Sequence, residues 1–303
     1  MKKGEKKKKT FVDVLTTIII IVAACAAVYA GWNLYKIYRQ YKIGVDEYKE
    51  LQELAESERV TNGMDDSKTS NKTLGDEFGD VSLDLAEQET EIVFEEMENP
   101  IDFDSLLAIN KDVIGWLEMG AIGISYPVAQ AEDNDFYLHQ TIQKTYNFAG
   151  SIFMECLNSP NFGDRNSILY GHNMQNGSMF GMLSRYRDQA VYDKDPTFWI
   201  YTPDFIYQYE IFACSEVELS NDCYQISFLS KDSFEKFIEK MVAQSAVKYG
   251  VPVESTDMVL TLSTCTGNSA TRCIVQGKRV RTYKAVKKLD TAETAGTEEA
   301  SGN

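Results

Sequence analysis

An all-β domain held outside the cell by a single membrane anchor is the architecture this sequence predicts, on three observations. One uncharged run, Val14–Tyr35, is long enough to cross a bilayer. Between about 100 and 288, short apolar runs rich in aromatic and β-branched residues recur between turn residues. The acidity is concentrated outside that stretch, with eighteen acidic and four basic residues in 46–98.

The 303 residues suffice for one medium domain plus attachments. The formal charge of −16 argues against nucleic acid, because a polyanion needs a basic footprint. Two histidines leave no His-rich metal cluster, and six cysteines are too few for a disulfide scaffold.

Residues 1–13 form a basic tail, with six Lys and one Glu in the first ten positions. Residues 14–35 follow as the transmembrane anchor, about 33 Å as a helix at 1.5 Å per residue. Tyr29, Trp32 and Tyr35 lie near its outer end, where aromatic rings favour the interface. The stronger positive flank is N-terminal, which keeps the N-terminus cytoplasmic and everything after Tyr35 outside. Val28-Tyr29-Ala30 resembles a signal-peptidase site, and Val22-Ala23-Ala24-Cys25 loosely resembles a lipoprotein box. The apolar run continues past both into Trp32 and Leu34, which favours an uncleaved anchor.

Residues 36–98 read as an amphipathic helix followed by an acidic spacer. Val45, Tyr48, Leu51 and Leu54 recur at three-residue steps, and 60–98 are too polar to build a core. Residues 289–303 are small and acidic and read as a disordered tail.

The folded region is 99–288. It opens on a short helix capped by Asp102 or Asp104. Strand-like runs follow at Ile122–Val128, Gly150–Met154, Ser167–Tyr170, Phe198–Thr202, Tyr207–Val217, Met258–Thr264 and Cys273–Val280, a spacing that suits an antiparallel barrel or sandwich. One helix interrupts them, with a capping-box-like start at Asp232–Glu235 and Phe234, Phe237, Ile238, Met241 and Val242 on one face.

Chemistry concentrates at two strand ends. In TLSTCTG (261–267), Cys265 ends an apolar run. Arg272 follows seven residues later, and in LYGHNM (169–174) His172 stands just beyond another strand. Thiol acyl transfer requires such residues: a thiolate attacks a carbonyl carbon and an imidazole manages the leaving-group proton. A guanidinium can hold the developing oxyanion. Tyr170 and Ser263, two residues before the His and the Cys, should share a face with them, as groove contacts or as packing. Cys273 should point to the opposite face from Arg272. His139 reads as structural, and Arg279 and Arg281 as decoration of a terminal strand. Cys214 and Cys223 could bridge a hairpin, although free thiols are favoured. Glu132–Asp135 reads as a solvated loop, so no metal site is expected.

The stretches IDFDSLLAINKDVIGWL (101–117), YPVAQAEDNDFYLH (126–139), AGSIFM (149–154), SILYGHNMQNGSMFGML (167–183) and TLSTCTG (261–267) resemble class B sortases over roughly 100–285. The resemblance implies a closed eight-stranded β-barrel with N-terminal helices and an extra helix before the Cys-bearing strand. It implies Cys265 as nucleophile, His172 as acid/base partner and Arg272 as oxyanion or substrate-orienting cation, without a cofactor. The implied reaction is transpeptidation. A sorting signal of NPQTN or (N/S/P)PxTG type is cut after Thr through a thioacyl-enzyme, and the surface protein passes to a peptidoglycan amine. The alternatives are a pilin-polymerising enzyme using a Lys acceptor, a hydrolytic cysteine protease, and a binding module that kept the barrel. The sequence departs from the family at Gly267, where some members carry an acidic residue, and in the short loop from Cys265 to Arg272.

Overall fold

The computed structural model describes residues 11–56 and 94–287. The basic tail before Phe11, most of the acidic spacer and the acidic C-terminal tail lie outside the described residues.

The chain opens with helix α1 (Phe11–Glu56). Its first half is the one helix among the described residues long and apolar enough to cross a membrane. Its second half packs on the folded domain. Gly44, Glu47, Tyr48, Leu51 and Ala55 are buried there, while Val45 and Leu54 are exposed. The buried stripe therefore follows the 3.6-residue helical period instead of the expected three-residue step.

Beyond α1 come β1 (Glu96–Glu98), α2 (Phe103–Ile109), β2 (Val113–Met119), β3 (Ile124–Ala129), β4 (Ile152–Met154), β5 (Asn166–Tyr170), α3 (Gln189–Lys194), β6 (Thr197–Tyr201), β7 (Phe205–Glu218), α4 (Lys231–Gln244), β8 (Val259–Cys265) and β9 (Thr271–Val286). The sheet runs β9-β7-β6-β2-β3-β4-β5-β8, and β8 pairs back onto β9, closing an eight-stranded barrel. Strand β1 lies outside the closure, parallel to the end of β9, with Phe94 edge-on to Phe205. The spacer as read from sequence thus ends in an edge strand.

The barrel is mixed. β3–β4 and β5–β8 are parallel, which corrects the antiparallel reading. A parallel neighbour needs a long crossover, and the connection from β5 to β8 contains β6, β7 and α4. Strand β2 was missed in sequence because Gly115 interrupts its apolar run at a register shift. A Cβ there would lie 2.9 Å from the Tyr201 carbonyl oxygen, so close backbone approach demands glycine.

Asp102 caps α2, its side chain accepting from the Ser105 N–H. Helix α4 is capped two residues earlier than expected, by a reciprocal Ser230–Ser233 box. Phe234, Phe237, Ile238 and Met241 bury its inner face against the outside of β7, β8 and β9, while Val242 is 39% exposed. Leu260, Leu262, Cys273, Val275 and Cys214 point into the barrel. Alternation along β8 and β9 therefore leaves Ser263, Cys265 and Arg272 on the outer face, and Cys273 opposite Arg272 as expected.

Candidate active site

Strand register brings the chemistry together. Tyr170 on β5 is the Cα partner of Ser263 on β8, in parallel. Two residues further along each chain stand His172 and Cys265, hence level with one another. The Gly171 N–H donates to the Ser263 carbonyl at 3.2 Å and carries the ladder one step past β5. On the other side, Cys265 is the direct antiparallel partner of Arg272. Three adjoining strands thus present His, Cys and Arg side by side at one barrel end.

These residues line one groove of about 390 Å³, together with Tyr170, Ser263, Tyr224, Leu138 and Asn134. Tyr170 donates to Glu155 Oε2 at 2.8 Å, and its ring stacks on Tyr224 at 6.4 Å. The hydroxyls of Ser263 and Tyr224 share a hydrogen bond of 2.9 Å. Burial pushes the Glu155 carboxyl up, but hydrogen bonds from Asn134, Tyr170 and Cys156 outweigh it and hold the group below its ordinary value.

His172 Nε2 lies 2.8 Å from the Leu138 carbonyl oxygen. A carbonyl only accepts, so Nε2 carries the proton, and in the neutral ring Nδ1 is the free acceptor. Burial depresses the imidazole below its ordinary value. The Leu138 carbonyl opposes the shift, and nearby His139 adds to it. The exposed His139 ring stacks on His172 at 5.8 Å, an arrangement its reading as a plain structural residue did not include.

Cys265 is half-buried, and its carbonyl accepts from Asn173 Nδ2 at 2.7 Å. The half-buried Arg272 folds back on the β8–β9 hairpin, Nη1 donating to the carbonyls of Ser269 (3.1 Å) and Thr271 (2.9 Å). Three of its five N–H donors make no bond to the hairpin. Gly267 has φ +94, a left-handed conformation that a carboxylate residue would occupy only with strain. The turn therefore explains the departure there.

Arg279 is held elsewhere. It bonds Tyr209 and Phe162 and covers the Tyr207 ring, seven residues along β9 from Arg272 and so roughly 23 Å away. Arg281 pairs with Tyr283. Cys214 lies inside the barrel and Cys223 outside it beneath α4, so the two cannot bridge. Asp133 Oδ1 accepts from the Phe136 N–H where the 3₁₀ turn Phe136–Leu138 begins, and Asn134 donates to Glu155. Among the described residues no group of three His, Cys, Asp or Glu side chains is arranged to hold a metal.

Leu138, Glu155, Asn134 and Tyr224 carried no signal in the sequence, because each acts from a loop or 3₁₀ turn on a partner distant along the chain. Asn173 did, as the residue after His172 in YGHNM.

The Sortase domain family matches residues 117–280. Sortase B of Listeria monocytogenes is 38% identical over 178 residues, 58% of this chain and 72% of the Listeria protein. Sortase B of Staphylococcus aureus is 30% identical over 163 residues, 54% of this chain and 67% of that protein. Among solved structures, a Staphylococcus aureus sortase B–substrate complex superposes with a TM-score of 0.57 at 28% identity, covering 59% of this chain and 84% of that one. Sortase B of Bacillus anthracis in complex with AAEK1 gives 0.56 at 33% identity, covering 62% and 89%. The eight-stranded barrel and the family match agree: the chain belongs to the sortases, as a cysteine transpeptidase of class B.

Proposed function

We propose that Cys265 is the nucleophile, His172 its acid/base partner and Arg272 the oxyanion-holding cation. The chain would act from the outer face of the membrane, on α1, with its N-terminus in the cytoplasm and 99–288 as the catalytic domain. The single observation that carries this reading is the register. His172, Cys265 and Arg272 stand level on three adjoining strands and open into one groove.

In the first step Cys265 Sγ attacks the carbonyl carbon of the Thr in an NPQTN-like or (N/S/P)PxTG-like signal. The N–H donors of Arg272 outside the hairpin meet the oxyanion. The C–N bond breaks, and the departing nitrogen takes a proton from the His172 imidazolium. A thioester on Cys265 remains. A peptidoglycan amine then attacks it, the neutral His172 ring takes the surplus N–H proton, the C–S bond breaks, and the electron pair returns to sulfur. Tyr170 and Ser263, on the groove wall, contact the signal peptide.

Proton donation needs charged His172, while burial and His139 favour the neutral ring. Only a fraction of the enzyme is productive at neutral pH, so turnover is slow and the pH profile bell-shaped.

The test uses the full chain in detergent micelles and fluorogenic peptides with NPQTN, NPKTG, SPKTG, PPKTG and LPXTG cores, with and without triglycine, beside Cys265→Ala. The reading expects cleavage after Thr that is lost in the variant, and an amide product when amine is added. Cleavage indifferent to amine would identify a hydrolase, and cleavage surviving in Cys265→Ala would remove the proposed nucleophile.

A further inference from the structure

Cys265 lines a second cavity. On the side of β8 away from the peptide groove lies a pocket of about 190 Å³, walled by Asn173, Ser184, Arg187, Glu216, Thr264 and Thr266. Alternation places Thr264 and Cys273, which are Cα partners, on the inner face of the sheet, opposite Ser263 and Arg272. The groove and this pocket thus approach Cys265 from opposite faces of β8.

The pocket is polar and structured. Glu216 Oε2 accepts from Arg187 Nη2 at 2.9 Å, and Oε1 accepts from Thr271 Oγ1 at 3.1 Å. Thr271 Oγ1 in turn bonds Thr266 Oγ1. A carboxylate offers about four acceptor positions, so Glu216, whose side chain is 45% exposed, keeps two for a ligand. Arg187 is the other charged wall residue, and the ion pair leaves the pocket near neutrality. Thr264 is 4% exposed, and its hydroxyl makes no hydrogen bond to the protein. A buried hydroxyl left unmatched is costly unless a ligand completes it.

We infer that this pocket admits the acceptor: an unbranched primary amine enters past Ser184, donates to the open acceptor positions of Glu216 and reaches the Cys265 thioester from the face opposite the sorting signal. The inference rests on Cys265 forming that thioester. An ammonium bound by Glu216 releases one proton to solvent, and the free amine attacks the thioester carbonyl carbon. The C–S bond breaks with its electron pair going to Cys265 Sγ, and the surplus N–H proton passes to His172. Amide and free enzyme result. A pocket of only about 190 Å³ suits a glycyl terminus or an aminoalkyl chain better than an amine carried on a branched carbon.

The test reads the ratio of amide product to hydrolysis product in the full chain in detergent micelles. That ratio does not depend on how fast the donor acylates the enzyme. Triglycine, whose attacking terminus is an ammonium at neutral pH, is the charged acceptor probe, and hydroxylamine, uncharged at neutral pH, is the neutral one. Glu216→Gln should lower the triglycine ratio about tenfold, the loss of one charge-assisted contact, and leave the hydroxylamine ratio in place. Ser184→Leu, at an exposed position where folding is not at stake, should lower the triglycine ratio by narrowing the mouth. Unaltered triglycine ratios in both variants would overturn the inference. So would equal losses with triglycine and hydroxylamine, which would mean a disturbed thioester. No acyl transfer by the unaltered chain would remove the underlying reading, and this inference with it.

Discussion

Cys265 and Arg272 face each other at the end of a β-ladder seven pairs deep, whereas the His172 imidazole is aimed by a hydrogen bond to a loop carbonyl. The first arrangement is rigid because every β8–β9 pair fixes the next. The second depends on whatever holds residues 137–151, and that support is assembled from distant parts of the chain. The Asn147 N–H donates to the His139 carbonyl and the Ser151 N–H to the Tyr137 carbonyl, each at 2.9 Å. Tyr48 on α1 reaches across to the Gly150 carbonyl (2.7 Å) and Ser151 Oγ (2.9 Å). Asn147 Nδ2 donates to the Gln40 carbonyl at 3.0 Å, and Tyr41 packs edge-on against Phe148. One side of the site is built by the barrel alone, and the other leans on α1, the helix that carries the candidate membrane span. Truncations ending close before residue 94 therefore remove part of what holds His172.

The largest effect that separates the two sides is expected at Arg272. Arg272→Lys keeps the charge but loses the planar fork, and should lower kcat about 10²-fold with Tm unchanged, read by peptide cleavage and calorimetry together. A parallel drop in Tm would show that the ladder depends on the guanidinium.

Gly150 tests the other side. It has φ +56, and a Cβ there would lie 2.4 Å from the Leu138 carbonyl oxygen, the acceptor of the His172 bond. Gly150→Ala should lower both stability, by about 1–2 kcal/mol or more, and kcat, by roughly tenfold. Gly267→Ala is the contrast. It carries the same kind of backbone strain with open space around it, so its cost should be confined to the turn. Equal losses of kcat in the two variants would collapse the distinction.

Tyr48→Phe removes one hydroxyl 102 residues from its partner and should cost about 1–3 kcal/mol, visible in denaturant unfolding. A shift in kcat alongside would confirm that α1 props the His172 loop, and kcat unmoved would leave α1 no part in placing His172.

The smallest effect concerns protonation. The folded-state value of His172 lies below its ordinary 6.5, so the unfolded chain takes up the proton first. The stability contributed by the neutral ring is present above about pH 6.5 and is lost as pH falls towards the folded-state value. Unfolding free energies at pH 5 and pH 8 should therefore differ less in His172→Gln than in the unaltered chain. His139→Gln removes a depressing neighbour, so the acidic limb of the rate profile should move to higher pH.

The same contrast governs what could be read from sequence. Seven of the eight barrel strands follow from apolar runs between turns, and Cys265, His172 and Arg272 stand at the ends of such runs. That they stand level was not legible, because it depends on the parallel β5–β8 pair, whose partners are 93 residues apart. Strand β2 was hidden by Gly115, whose missing side chain serves a neighbouring backbone. Leu138 contributes only a carbonyl, which no side-chain pattern encodes. The spacing of Val45 and Leu54 misled for a different reason: on α1 the covered face is set by where the helix meets the barrel.

The central claim is that the ladder-held thiol at 265 receives the acyl group. The direct measurement is intact and peptide-level mass spectrometry of the full chain quenched during turnover of the peptide it cleaves. The account predicts an added mass equal to the acyl fragment, located on Cys265 and discharged by hydroxylamine. Acylation of Cys156 or Cys25, the other thiols with exposed surface, or turnover without any acylated cysteine, would contradict it.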